Sequence, residues 1–316
     1  MGKIAFVFSG QGAQYGGMGK SLVEVSPAAR QVFDTAESLR PGTASQCFEG
    51  TTEELSVTKN TQPCLYCVDL AAARALEEAG VHADFAAGFS LGEVAALTFA
   101  GAFSDEDGFS FVCRRAEAMQ NAAEQNPGAM AAVLKLSNET VEELCRSFSR
   151  VWPVNYNCPG QLVVAGEKGE LESFCGKVAE AGGKAVPLAV SGGFHSPLMA
   201  DAAEKLEAAL AEISVQPLRL PVYANVTARS YEEGIGELSA KQTEDTVRTL
   251  LVRQVKNPVR WQETIENLRA RGVDTFIECG AGKTLCGLIK KTVKDVTILR
   301  VEDAETLQDT VKAIKG

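Results

Sequence analysis

The stretch that decides the fold is Ala83-Asp84-Phe85-Ala86-Ala87-Gly88-Phe89-Ser90-Leu91-Gly92, with the run to Gly101 behind it. Residues 83–87 are mostly apolar and predict a short buried strand. Residues 91–100 are rich in Ala and Leu and stop at Gly101, which predicts a helix. Between them, Gly88-Phe89-Ser90-Leu91-Gly92 is a Gly-x-Ser-x-Gly pattern, in which a serine is forced onto a tight strand-to-helix turn. The glycines matter because such a turn leaves little room for Cβ atoms around the serine. With 29 glycines in the chain, the pattern alone also fits an ordinary small-residue turn. The flanking strand and helix favour a nucleophile and the chemistry of acyl transfer or hydrolysis.

The same alternation of strand and helix extends outward in both directions, which predicts an α/β fold with a parallel sheet. Lys3-Ile4-Ala5-Phe6-Val7-Phe8 reads as a first strand ending in a Gly-rich loop, Gly10-Gln11-Gly12-Ala13-Gln14. Helices are expected near 28–40, from Pro63 to Gly80, and over 105–125 with Ser104 as the cap. Residues 127–191 change character. Strands at 129–136, 152–157, 161–166 and 184–190 are interleaved with helices at 137–148 and 171–182, the β-α-β-β-α-β order of a ferredoxin-like unit. The expected organisation is therefore an α/β-hydrolase-like core over 1–126 and 192–316, with a ferredoxin-like subdomain over 127–191 inserted into it. In the last third, helices are expected at 197–213, 240–254, 258–271, 285–291 and 305–315. Strands are expected at 221–224, 275–278 and 296–300.

Composition narrows the function. The 316 residues are 45% hydrophobic and 23% charged, ordinary values for a globular chain with a full-sized core. A net charge of −10 argues against a nucleic-acid partner and requires local positive charge for any anionic substrate. No stretch is long and apolar enough to span a membrane. The first residues lack the h-region of a leader, and Phe6 does not fit the Met1-Gly2 myristoylation pattern, so a cytoplasmic location is expected. Nine scattered cysteines do not form a disulfide framework. Cys64-x-x-Cys67 has no second pair or nearby histidine to complete a zinc site, and reads as two packed helix residues.

A serine hydroxyl needs a base, and the chain has two histidines. His82 lies in a short connection expected at the surface. His195 lies in Gly192-Gly193-Phe194-His195-Ser196, between a strand and a helix at the junction of the two units, and is the better candidate. Along the 105–125 helix, Arg115 falls on the stripe of Phe111, Val112 and Met119, whereas Arg114 falls on the polar side with Asp107 and Glu117. A buried arginine requires an anionic partner. That partner is either an internal carboxylate or a substrate carboxylate gripped by two parallel hydrogen bonds. For an oxyanion, the backbone N–H of Leu91 and the glycine-flanked Gln11 are the candidate donors. The Gln11 loop matches neither nucleotide-binding glycine pattern.

Taken together, Gly10–Gln14, the Gly88–Glu93 elbow, Arg115 with Met119-Gln120, Gly128–Ala132, Asn157–Gln161, Phe194-His195-Ser196 and Leu251–Gln254 with Asn257-Pro258-Val259 resemble one family. It is the malonyl-CoA:acyl carrier protein transacylases of fatty acid synthesis, and the resemblance covers nearly the whole chain. It implies a ping-pong transfer through a malonyl ester on Ser90, with His195 as base. It also implies Gln11 and Leu91 at the oxyanion, a backbone carbonyl near Gln254 orienting His195, and Arg115 pairing with the malonyl carboxylate. Phe194 resembles the residue that disfavours branched methylmalonyl units. No cofactor is implied. The implied partners are malonyl-CoA and acyl carrier protein, with Lys283, Lys290, Lys291 and Lys294 as a candidate basic patch for the latter, and a monomer suffices. Two departures stand out: Phe89 replaces the family's usual histidine, and Ala281 the commoner proline. The alternatives are a serine esterase or thioesterase, and a non-catalytic module that binds carrier protein.

Overall fold

The computed structural model describes residues 2–190, 192–233 and 240–316. Met1, and Ser191 at the end of the expected subdomain, lie outside the described residues. The chain opens with β1 (Lys3–Phe8), α1 (Lys20–Val25), α2 (Pro27–Leu39), α3 (Thr43–Glu49), α4 (Thr52–Leu55) and α5 (Thr58–Glu78). β2 (Phe85–Gly88), α6 (Leu91–Phe99) and α7 (Asp105–Gln125) follow. Next come β3 (Ala129–Leu134), α8 (Asn138–Cys145), β4 (Val151–Cys158), β5 (Gln161–Gly166), α9 (Lys168–Glu180) and β6 (Lys184–Pro187). A 3-10 turn at Pro197–Met199 leads into α10 (Ala200–Ala211), β7 (Val222–Tyr223), α11 (Ala240–Gln254) and α12 (Trp261–Ala270). The last elements are β8 (Val273–Cys279), α13 (Thr284–Thr292), β9 (Thr297–Val301) and α14 (Ala304–Lys315).

Two separate sheets result. The first is wholly parallel, in the order β7-β2-β1-β8-β9, and the second is antiparallel, in the order β4-β5-β3-β6. The sequence of β1 shows why the parallel sheet is buried on both faces. Ile4, Phe6 and Phe8 join a core with residues of α5, α6 and α7. Ala5 and Val7 face the other way, onto Trp261 and Ile265 of α12 and Leu285 and Ile289 of α13. Alternation along one strand thus feeds two apolar layers, as a covered parallel strand requires. The antiparallel sheet packs its own core, Val133, Val164, Leu171, Phe174 and Val178, against α8 and α9. It is tied to the rest where Tyr156 N–H donates to the Val259 carbonyl (2.9 Å) and Val259 N–H to the Val154 carbonyl (2.8 Å).

Three expectations change. The helix expected to open at Pro63 begins at Thr58, and Pro63 lies inside α5. The turn ahead of the proline is held by the Thr61 hydroxyl, donating to the Leu55 carbonyl at 2.5 Å, and nearly every side chain from Thr61 to Ala73 is buried. That packing outweighs the roughly 3 kcal/mol penalty of an interior proline. α1, α3 and α4 were not foreseen, being four to seven residues long and too short for a clear apolar period. The expected 197–213 helix opens as the 3-10 turn.

Phe8 pairs with Gly88 on one side and Cys279 on the other, so β1, β2 and β8 end level with one another. The Gly10–Gln14 loop, the Ser90 turn and the Gly280–Lys283 loop all leave from that edge, where open α/β sheets bind ligands. The turn has no slack. A Cβ on Gly92 would lie 2.3 Å from the Phe8 carbonyl oxygen and 2.5 Å from that of Ser9, both rigid backbone atoms. Gly92→Ala is therefore expected to destabilise the protein by about 3 kcal/mol or more. Thermal unfolding checks this, and an unchanged melting temperature would contradict it.

Candidate active site

Ser90 sits where β2 gives way to α6, with φ 54° and ψ −101°. Such a positive φ is costly for a residue with a side chain and persists only where the surroundings impose it. Here they do. Ser90 N–H donates to Asn225 Oδ1 at 2.8 Å, and Asn225 Nδ2 donates to the Gly88 carbonyl at 2.6 Å. One asparagine amide thus spans the turn and aims Ser90 Oγ into a cavity of about 80 Å³. Gln11, Leu91, Arg115, Phe194 and His195 line the same cavity.

His195 is buried, and its Nε2 lies 2.8 Å from Ser90 Oγ. Its Nδ1 lies 2.8 Å from the Gln254 backbone carbonyl. A carbonyl only accepts, so Nδ1 carries the hydrogen and Nε2 is left to accept from the serine hydroxyl. Burial, with the Arg115 charge nearby, lowers the histidine to about 4. The ring is therefore neutral near pH 7, the state a general base needs. Among the described residues no carboxylate completes a triad, and the third position is the Gln254 carbonyl.

Arg115 is 2% exposed. Its Nη1 donates to Gln62 Oε1 (2.6 Å), and its Nη2 to Gln254 Oε1 (2.7 Å) and Ser90 Oγ (3.1 Å). Among the described residues, no carboxylate lies within ion-pair distance of it. Burial lowers its pKa to about 10, partly offset by Glu93. It is a charged fork beside the serine with no carboxylate in direct contact among the described residues. Arg114 behaves as expected of the polar face, pairing with Glu212 at the surface at 2.5 Å.

Leu91 opens α6, so its N–H belongs to the first-turn donors that lack an intrahelical acceptor. Gln11 lies across the cavity, its side-chain Nε2 donating to Thr58 Oγ1 at 3.3 Å. Phe194 is a buried ring in the cavity wall. Phe89, the unexpected neighbour of the serine, also lines the cavity and meets Trp261 edge-on at 5.5 Å. It therefore serves as a packing residue between the elbow and α12. Ala281 is buried between Gly280 and Gly282, both at positive φ, so the turn forms without a proline.

Several residues of the site carried no assigned role in the sequence reading. Gln62 grips Arg115, and Asn225 clamps the elbow. Glu93 is fully buried, its carboxylate accepting from Tyr231 Oη, Gln254 Nε2 (2.7 Å) and Asn225 N–H (3.2 Å). Glu93 had a legible signal, as the one charged residue in the otherwise apolar α6, Leu91–Phe99. His82 is exposed and takes no part. Cys64 and Cys67 pack inside α5, and all nine cysteines are free. Among the described residues, no cluster of His, Cys, Asp and Glu could hold a metal ion, and no helix is long and apolar enough to cross a membrane.

Residues 5–312 match the model of the acyl transferase domain family. The chain is 40% identical over 321 residues to the malonyl CoA-acyl carrier protein transacylase of Bacillus subtilis strain 168, covering 100% of this chain and 98% of that one. The solved malonyl CoA-acyl carrier protein transacylase of Clostridium perfringens superposes with a TM-score of 0.92 at 38% identity, over 99% of this chain and 97% of that one. A malonyl-transacylase solved in complex with a type II PKS acyl-carrier protein superposes with a TM-score of 0.90 at 35% identity, over 98% and 99% of the two chains.

Proposed function

The chain belongs to the acyl transferase domain family, and from that premise we propose that it moves a malonyl group from malonyl-CoA to the thiol of acyl carrier protein, in fatty acid synthesis. One observation carries the choice of substrate. Arg115 is a buried cation with no carboxylate in direct contact among the described residues, 3.1 Å from the serine that would hold the acyl group. A free carboxylate on the acyl chain meets that demand, and a neutral ester does not.

The geometry supports the following roles. Ser90 Oγ attacks the thioester carbonyl while His195 Nε2 takes its proton. The oxyanion is met by the Leu91 N–H and by Gln11. Collapse of the tetrahedral species breaks the C–S bond, and the His195 proton leaves with the CoA thiol. The phosphopantetheine thiol of the carrier protein then attacks the malonyl ester, with His195 as base again, and the proton returns to Ser90 Oγ. Gln254 holds the histidine tautomer through its carbonyl, and Phe194 narrows the wall against a branched acyl group. The chemistry calls on no cofactor.

The finer structural reading belongs to the same proposal. The parallel sheet and the Ser90 turn support an α/β-hydrolase-like core over 1–126 and 192–316. The order β4-β5-β3-β6 and the β-α-β-β-α-β succession support a ferredoxin-like subdomain over 127–191. Lys283, Lys290, Lys291 and Lys294 are exposed on and beside α13 and form the proposed docking patch for an acidic carrier protein. Nine free thiols suit a reducing cytoplasm, and one copy of the chain supplies every group named. A transfer assay with malonyl-CoA and holo carrier protein tests the reading. Malonyl is expected on the carrier thiol faster than malonate appears in water; equal rates would favour a thioesterase.

A further inference from the structure

Glu93 is a buried carboxylate that the acyl-transfer steps do not use. It is connected to Arg115 through one side-chain amide. Arg115 Nη2 donates to Gln254 Oε1 (2.7 Å), and the other end of that amide, Nε2, donates both to Glu93 Oε2 (2.7 Å) and to the Ser90 carbonyl (2.8 Å). The amide dipole thus points its oxygen at the cation and its N–H at the carboxylate. Among the described residues, Glu93 is the one carboxylate whose charge acts on Arg115.

We propose that Glu93 is the resident counter-ion of Arg115, and that an acyl group bearing a carboxylate takes over this role, so that malonyl loading is accompanied by uptake of one proton at Glu93. The proposal rests on the malonyl-transfer reading above. Once a malonyl carboxylate lies against Arg115, two buried anions would share one buried cation, which disfavours ionisation of the one already poorly solvated. The proton comes from solvent and enters at Oε1. There the Tyr231 hydroxyl can turn from donor to acceptor, while Oε2 keeps its bonds from Gln254 and Asn225.

The charged and titratable groups facing Glu93 are few. They are Tyr231, from the segment after β7, and Arg115, from α7; Asn225 and Gln254 bring uncharged donors. Burial, partly offset by the hydrogen bonds from Tyr231, Gln254 and Asn225 and by the Arg115 charge, raises Glu93 to about 7, where a modest added repulsion changes its protonation. His195 is held near 4 and stays neutral over that range. The sign follows. Above about pH 7 Glu93 is ionised and opposes the incoming carboxylate; below it Glu93 is neutral and Arg115 attracts that carboxylate unopposed.

The test is proton uptake during a single round of loading. The full-length protein in weakly buffered indicator dye near neutral pH is mixed with malonyl-CoA or acetyl-CoA, and the ester on Ser90 is counted by mass spectrometry in the same samples. The expected result is uptake of a substantial fraction of a proton per malonyl ester, none per acetyl ester, and none for malonyl loading of Glu93→Gln. In the wild-type protein, kcat/KM for malonyl-CoA is further expected to fall by roughly ten- to twentyfold from about pH 6 to about pH 8.5, an effect absent with acetyl-CoA, as for charges somewhat under ~10 Å apart at an effective dielectric of ~20. Malonyl ester formed by the wild-type protein without proton uptake overturns the proposal. Absence of any malonyl ester overturns the transfer reading instead.

Discussion

His195→Ala is expected to lower malonyl transfer by roughly 10²- to 10⁴-fold, the usual contribution of a positioned general base. The basis is the 2.8 Å contact from Nε2 to Ser90 Oγ and the 2.8 Å contact from Nδ1 to the Gln254 carbonyl, which leave Nε2 free to act as base to the serine. The same geometry sets the acid limit. With His195 lowered to about 4, the ring stays neutral as pH falls past the ordinary histidine value. The rate of Ser90 acylation by acetyl-CoA, whose acyl group carries no charge, should hold down to about pH 4–5 and fall only below. Presteady-state kinetics of acylation on the wild type and the variant check both points. An acid limb near pH 6.5, or a variant of undiminished rate, would contradict the assignment.

Arg115→Ala is expected to cost malonyl transfer roughly two orders of magnitude, the usual consequence of removing one partner of a buried charged contact. The effect should be selective. Malonyl-CoA loses its carboxylate fork, whereas acetyl-CoA has none to lose, so the malonyl-to-acetyl preference should fall with the rate. Arg115→Lys should recover little, because an ammonium offers a point charge and not the planar fork that bonds Gln62 and Gln254 at once. The ratio of kcat/KM for the two donors is the measurement. An unchanged ratio in Arg115→Ala, whatever its overall activity, would remove the arginine from substrate selection.

The catalytic residues were legible because each broke a local rule. Ser90 stands in a glycine-pinched turn, His195 is one of two histidines, and Arg115 is a cation on an apolar helical stripe. All three line one cavity. The elements around them were legible where apolar runs were long, as in β1 and α7. They were obscured where a short helix gave no period, or where proline in α5 suggested a start that tertiary packing overrode. The groups that hold the serine and arginine in place were least legible. Asn225 and Tyr231 are 135 and 138 residues from the elbow they bond, and nothing local distinguishes them; Gln254, 164 residues away, entered only through the family resemblance, for its backbone carbonyl and not for its side-chain amide. Glu93 was the exception, as a carboxylate buried in an apolar helix with its partners supplied from far along the chain. Phe89 departs from the family pattern, yet its ring simply packs between the elbow and Trp261.

The central claim, a malonyl group carried on Ser90 and clamped by Arg115, is tested most directly by peptide mass spectrometry after brief incubation with malonyl-CoA. One malonyl ester is expected, on the peptide carrying Ser90. It should be absent from Ser90→Ala and lost on addition of holo carrier protein, with the malonyl group recovered on the carrier thiol. A folded wild-type protein that carries no malonyl at Ser90, or carries it on another residue, would contradict the account.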